Sequence, residues 1–272
     1  MSSVNPSLAI QTIPRLFLVL WALSLGVPAA AEVPAELSAG ESGIVVGVVD
    51  GDTVVLDSGI EVRLVGLQAP KLGLGRPNFE DWPLAEESRQ EMLDLSMGER
   101  VSLFYGGARR DRYDRALAHL ERADGLWLQE AMLARGMARV YSFADNRAVV
   151  PRLLAIERVA RRRGLGIWAH PYYRIRGADE LGRDIGSFQL VEGRVLSAAK
   201  VRGRLYFNFG ADWREDFTVS VAPRDRRAFE AAWDGADIAS FAGQTVRVRG
   251  WLKSFNGPMI EATHPEQMEW FE

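Results

Sequence analysis

The chain has 272 residues, of which 47% are apolar and 25% charged, a composition that excludes a disordered chain. The formal net charge of -3 excludes nucleic-acid binding by bulk basicity, so any polyanion contact must come from local patches. With no cysteine, disulfides, thiolate metal sites and cysteine nucleophiles are excluded together.

At the start, Arg15 precedes the apolar run Leu16 to Val27, which Pro28 breaks ahead of Ala29-Ala30-Ala31. A basic residue, a short apolar core and an A-x-A site predict a secretory leader over 1–31, cleaved after Ala31. An uncleaved anchor is the weaker reading, because the run falls short of the roughly 20 residues a spanning helix needs. No stable membrane insertion is expected once the leader is removed. Residues 32–41 read as a flexible lead-in.

Strands are predicted over 44–49, 53–56 and 62–66, joined by an Asp50-Gly51-Asp52 turn and a Ser58-Gly59 hairpin signal. After a glycine-rich loop at 73–77, a helix begins near Pro83 and stops at Gly98. Strands follow at 101–105 and 116–121, then a short helix over 127–135 and a longer one over 150–163. Residues 171–186 read as a linker. Beyond it, strands are predicted at 190–196, 204–209, 217–221, 245–252 and 258–262, with a helix over 223–233.

The fold class expected is therefore α+β and mainly β. A five-stranded OB barrel with appended helices spans 42–170, and a second, smaller OB-like barrel spans 187–272. The second rests on strand pattern and on Val248-Arg249-Gly250-Trp251-Leu252.

Residues 49–71 carry Asp50-Gly51-Asp52-Thr53, then Arg63-Leu64 and Gln68-Ala69-Pro70-Lys71. Further on come Asp111-Arg112-Tyr113-Asp114-Arg115, Arg135-Gly136-Met137-Ala138-Arg139 and Gly166-Ile167-Trp168. Together these resemble the thermonuclease, or staphylococcal nuclease-like, family from about Ile44 to Trp168. The resemblance implies a phosphodiesterase site: Asp52 and the residue at 68 as calcium ligands, the carbonyl of 69 as a third, and Asp50 close behind. It implies Arg63 and Arg115 on the scissile phosphate, and Arg112 and Tyr113 flanking the nucleotide.

Such chemistry needs carboxylates to hold a hard cation and guanidinium groups to stabilise transition-state charge. Two letters depart from the pattern. Gln68 stands where the family has Asp, so a formal charge is missing from the ligand set. Lys71 stands where the family has Glu, and an ammonium cannot serve as a base. Glu80 and Asp81, on the following loop, are the acids that would have to fold back to replace them. Asp-Gly-Asp is also ordinary turn chemistry, and a lone arginine is more often in a surface ion pair, here with Asp111 or Asp114.

The function expected is an exported protein that contacts single-stranded nucleic acid or a nucleotide phosphate through Arg63, Arg115, Tyr113 and Lys71, with hydrolysis weak or absent. Three cations would then surround a phosphate-sized space. The alternatives are an active calcium-dependent endonuclease holding its metal on Asp52, Gln68 and the Ala69 carbonyl, and an envelope module binding a protein partner through the second barrel. Arg202, Arg204, Arg247, Arg249 and Lys253 there, with Tyr206, Phe207, Trp213, Trp251 and Phe255, offer a basic aromatic face, although most of those rings read as core or inter-domain packing. His119, His170 and His264 share no ligand spacing. Arg158, Arg161, Arg162 and Arg163 read as a solvated helix face.

Overall fold

A computed structural model describes residues 34–271 together with Met1, and the leader expected over 1–31 lies essentially outside the described residues. In chain order the first half contains β1 (Ser38–Asp50), β2 (Thr53–Leu56), β3 (Glu61–Leu64), β4 (Gly66–Gln68), α1 (Ala85–Ser96), β5 (Arg100–Tyr105), β6 (Ala116–Arg122), α2 (Leu128–Ala134), β7 (Arg139–Tyr141) and α3 (Val150–Arg162).

β1 is a long bent strand. Its first part pairs with β5 and its second with β2, both antiparallel, and β3 runs parallel to β6. The circuit β1-β2-β3-β6-β5 closes into a barrel. β1 begins at Ser38, inside the stretch expected to be a flexible lead-in. Its early residues are exposed and polar, so no hydrophobic pattern marks them, and pairing to β5 is what makes them strand. Val45, Leu56, Leu64, Leu103 and Leu120 fill the interior, with Trp127, Met132 and Leu153 of the helical layer packed on it. Each fully buried side chain of this kind contributes about 1.5–3 kcal/mol.

The second half contains β8 (Arg176–Gly177), β9 (Phe188–Arg194), β10 (Ser197–Val201), β11 (Arg204–Asn208), β12 (Thr218–Val221), α4 (Arg226–Ala232), β13 (Thr245–Ser254), β14 (Pro258–Ala262) and β15 (Met268–Phe271). β9 and β10 are two arms of one bent strand: β9 pairs with β13, β10 with β11. β12 runs parallel to β14, as β3 does to β6. The second sheet thus follows the same circuit as the first barrel, around a core of Phe207, Phe217, Phe229, Val248 and Ile260. The stretch expected as a linker is ordered against it, because β8 pairs parallel with β9 and Arg176 is buried among carbonyls and Asp184.

A polar cluster joins the halves. Arg249, expected on an open basic face, is only 1% exposed. It donates to Glu157 on α3 at 3.0 Å, to Glu269 on β15 at 2.7 Å and to the Val140 carbonyl at 3.1 Å. Arg161, expected on a solvated helix face, turns inward to Glu157 at 2.8 Å. His264 Nε2 lies 2.7 Å from Ser142 Oγ across the same boundary. Among the described residues no helix is long and apolar enough to cross a membrane.

Candidate functional site

The Asp50-Gly51-Asp52 turn closes the β1–β2 hairpin and presses into the barrel mouth. A Cβ on Gly51 would sit 2.0 Å from Ser88 Oγ on α1 and 2.8 Å from the Ala69 Cβ. Only glycine lets the turn approach this closely, and the approach leaves Asp52 fully buried.

A carboxylate in that position must be matched on both oxygens. Ala69 donates its backbone N–H to Asp52 Oδ2 at 2.7 Å, and Thr53 donates its hydroxyl to Oδ1 at 3.2 Å. Arg63 Nη1 lies 3.0 Å from Oδ1. Lys71 Nζ donates to both oxygens of Asp52 at 2.6 Å and to Asp50 Oδ2 at 3.0 Å. The other Asp50 oxygen accepts the Asp52 N–H at 3.0 Å. The ammonium of Lys71 therefore sits between the two acids of the turn.

The charges respond accordingly. Burial would push the Asp52 carboxyl up, but Arg63 and Lys71 outweigh it and hold the group down at about 2. Asp50 moves the other way, raised by burial and by the Asp52 charge beside it.

The arginines are also engaged. Arg63, expected on a phosphate, spends its planar fork on the carbonyls of Asp52, Leu64 and Leu67 at 3.4, 2.8 and 2.9 Å. Arg115 pairs with Asp111 at 2.7 Å and approaches Glu61 at 3.7 Å. The expectation of three cations around a phosphate-sized space is thus corrected: each cation already faces a carboxylate, because the turn and the Asp111 loop bring acids along with the bases.

Gln68 is buried, and its Oε1 accepts two bonds from Arg139, at 3.1 and 2.8 Å. The two residues are register partners across β4 and β7. Arg139 is the residue that sequence reasoning left without a role. It closes the Arg135-Gly136-Met137-Ala138-Arg139 run that carries the resemblance, but the apolar Val140-Tyr141 pair after it is too short to mark a strand. Asp81 accepts the Gly73 N–H at 2.6 Å, and Glu80 is exposed.

The 109–115 loop is held differently. Asp111 Oδ1 accepts the N–H of Tyr113 and of Arg115, at 2.9 and 3.1 Å, which fixes the turn. Tyr113 stands out at 65% exposed, with Arg112 donating to its hydroxyl at 2.7 Å and stacked 4.7 Å from its ring. Arg109, Arg110 and Arg112 are exposed beside it.

Calcium, the ion implied by the resemblance, takes six to eight oxygens at about 2.3–2.6 Å. Here the oxygens of Asp52 are filled by an ammonium, a guanidinium and an N–H, and the Gln68 oxygen is filled by Arg139. Ala69 meets Asp52 through its N–H. Among the described residues no group of three or more His, Asp or Glu is placed to hold a metal. The donor set does not fit calcium.

The closed barrel with this turn at its mouth defines a staphylococcal nuclease type of fold. Residues 61–170 match the family model described as "Staphylococcal nuclease homologue". The chain is 32% identical over 130 residues to an uncharacterized endonuclease of Escherichia coli O157:H7, covering 47% of this chain and 76% of the relative. It is 27% identical over 132 residues to a thermonuclease of Staphylococcus intermedius, covering 47% and 77%, and 32% identical over 130 residues to an endonuclease of Bacillus subtilis (strain 168), covering 46% and 60%. The chain belongs to the staphylococcal nuclease homologue family. The family match ends at residue 170, so most of the second half lies outside it.

Proposed function

We propose that this protein binds single-stranded nucleic acid through the 109–115 loop of its first barrel and hydrolyses it weakly or not at all. The observation that carries the reading is Lys71 Nζ, 2.6 Å from both oxygens of Asp52 and 3.0 Å from Asp50. An ammonium there occupies the acids that a metal-assisted reaction would need, and it leaves no carboxylate base at that position. Binding is supported by the exposed Arg112 and Tyr113 with the half-buried Arg115 beside them, which offer charge for phosphate and a ring for a base. A phosphate arriving at Arg115 would displace part of its contact with Asp111, so affinity is modest and falls with salt.

The test uses the mature chain with single-stranded DNA in calcium and in EDTA, beside the Gln68→Asp, Lys71→Glu double variant. No cleavage by the natural chain is expected, with EDTA-sensitive cleavage by the variant. Calcium-dependent cleavage by the natural chain would falsify the reduced-activity reading. Binding is expected to weaken about tenfold in an Arg112→Ala, Arg115→Ala variant and with added salt. We also propose that the protein is exported, supported by the basic, apolar and A-x-A pattern before residue 32. Recovery of the full-length chain in the cytoplasmic fraction would count against export.

A further inference from the structure

We propose that the second barrel holds a second single-strand site, a cleft in which unpaired bases stack on Tyr206, Trp213 and Phe255. The cleft encloses about 320 Å³ and lies over β10, β11 and β12, beside the β13–β14 hairpin loop. It reaches the lower range of small-ligand sites, about 300–1,000 Å³. On a barrel of this circuit, the second and third strands and the loop between the fourth and fifth form the mouth that takes oligomeric ligands. β11, β12 and residues 255–257 hold those places here.

Three observations favour bases as the occupant. First, the rings are free. Among the described residues neither Tyr206, Trp213 nor Phe255 packs on another ring, whereas Phe207, Trp233, Phe241 and Trp270 stack together in the core. Trp213 is 48% and Phe255 62% exposed, apolar surface left in water beside a core that buries Phe207, Phe217 and Phe229. Second, one fixed amide stands in a lining that is otherwise mainly apolar, with Ala199, Val201 and Met259 beside it. Asn208 donates to Ser197 Oγ at 3.1 Å and accepts from Thr218 Oγ1 at 3.3 Å, which orients its amide under the rings. Third, cations stand at the edges. Arg214 lies over the Trp213 ring at 4.4 Å from its centre. Lys253 is the register partner of Met259, which lines the cleft. Arg204 borders the adjoining hollow shared with Tyr206 and Phe255. Glu261 and Asp212 offset part of this charge, so stacking supplies more of the affinity than phosphate contact.

The inference rests on the reading that this protein handles single strands, and the experiment separates the two. The full mature chain is crosslinked by light to bromodeoxyuridine-substituted oligothymidylate, and the modified residues are mapped by mass spectrometry. Affinity is measured by fluorescence anisotropy for the natural chain and for a Trp213→Ala, Phe255→Ala variant. Both side chains are exposed, and an unchanged melting temperature checks that the variant folds. Crosslinks in the cleft and about tenfold weaker binding by the variant are expected. Crosslinks at Tyr113 alone, with unchanged affinity in the variant, would overturn the cleft and leave the first-barrel reading standing. Crosslinks in the cleft alone would support the cleft and overturn the first-barrel loop. Crosslinks at neither place would overturn both.

Discussion

Replacing Lys71 by methionine removes the ammonium while keeping most of the volume of its stem. Asp52 is then left fully buried with Arg63 as its one remaining cation, and Asp50, 10% exposed in its side chain, loses its charged partner. Breaking a buried ion pair costs about 3–5 kcal/mol. Arg63 stays in place and the Lys71 side chain is itself 21% exposed, so the loss falls at or below the bottom of that range, about 2–3 kcal/mol. For a chain of this size that lowers the melting temperature by roughly 4–12 °C. The vacated space faces oxygens of two adjacent acids, which suits a hard cation. Calcium at a hundred times its dissociation constant would restore about 2.7 kcal/mol. The assay is thermal denaturation in EDTA and in calcium, with terbium luminescence as an independent report of binding. The natural chain is expected to melt at one temperature in both buffers, while Lys71→Met melts lower in EDTA and recovers in calcium. Equal melting of the two proteins in EDTA, or an equal calcium shift in both, would refute the idea that the lysine acts as an internal counter-ion.

Three other outcomes follow from the same structure. Gly51→Ala forces a Cβ to 2.0 Å from Ser88 Oγ and is expected to cost about 1–3 kcal/mol in urea denaturation, and an unchanged midpoint would mean the turn is not pressed against α1. Arg249→Met leaves Glu157 buried without its bidentate partner and is expected to cost about 3–5 kcal/mol, measured the same way; a loss below about 1 kcal/mol would show the cluster to be dispensable. Burial holds His119 down at about 3 and His264 down at about 4, so below about pH 6.5 the unfolded chain takes up protons first and stability falls with pH, by about 1.4 kcal/mol per pH unit for each histidine. Asp52, held at about 2, adds stability that is present above its ordinary 3.8 and lost as pH falls from there toward 2. His119→Phe should therefore reduce the slope from about pH 6 down to about pH 3, leaving what His264 and Asp52 contribute, and an unaltered slope in denaturation midpoints would count against a neutral buried histidine.

The strands with dense apolar alternation were legible in the sequence, and β2, β6 and β13 lie close to where the pattern put them. β10 was not, because Ser197–Val201 is exposed along nearly its whole length and owes its strand to β11 alone. β4 and β7 were missed for a different reason: three residues are too few to show a period, and only their mutual register makes them a sheet. That small sheet matters most for the site, since it sets Arg139 opposite Gln68. The sequence identified the turn acids and the departures at 68 and 71, but no spacing rule says where a lysine stem folds. The same limit applies to Arg249 and Arg161, whose residue type suggests solvent and whose partners, Glu157 and Glu269, lie far away in the chain.

The two departures also make sense together. Relative to the family pattern, Glu to Lys moves the local charge two steps toward positive, and Asp to Gln moves it one more. A divalent ion supplies two. The substitutions therefore supply more than the charge of the ion, carried on the chain and placed by a side chain long enough to reach both turn acids. A carboxylate at 68 would not be idle in such a cluster. It would pair with the buried Arg139, whose guanidinium is pulled down to about 10, chiefly by burial, and which lies against the rings of Trp82, Tyr173 and Phe188. With an amide at 68, Arg139 keeps both its hydrogen bonds and its aromatic cage. On this reasoning Gln68→Asp alone cannot recreate a metal site, because the ammonium of Lys71 would still lie between Asp50 and Asp52. Recovery of calcium binding requires the change at 71, and the change at 68 only adds to it.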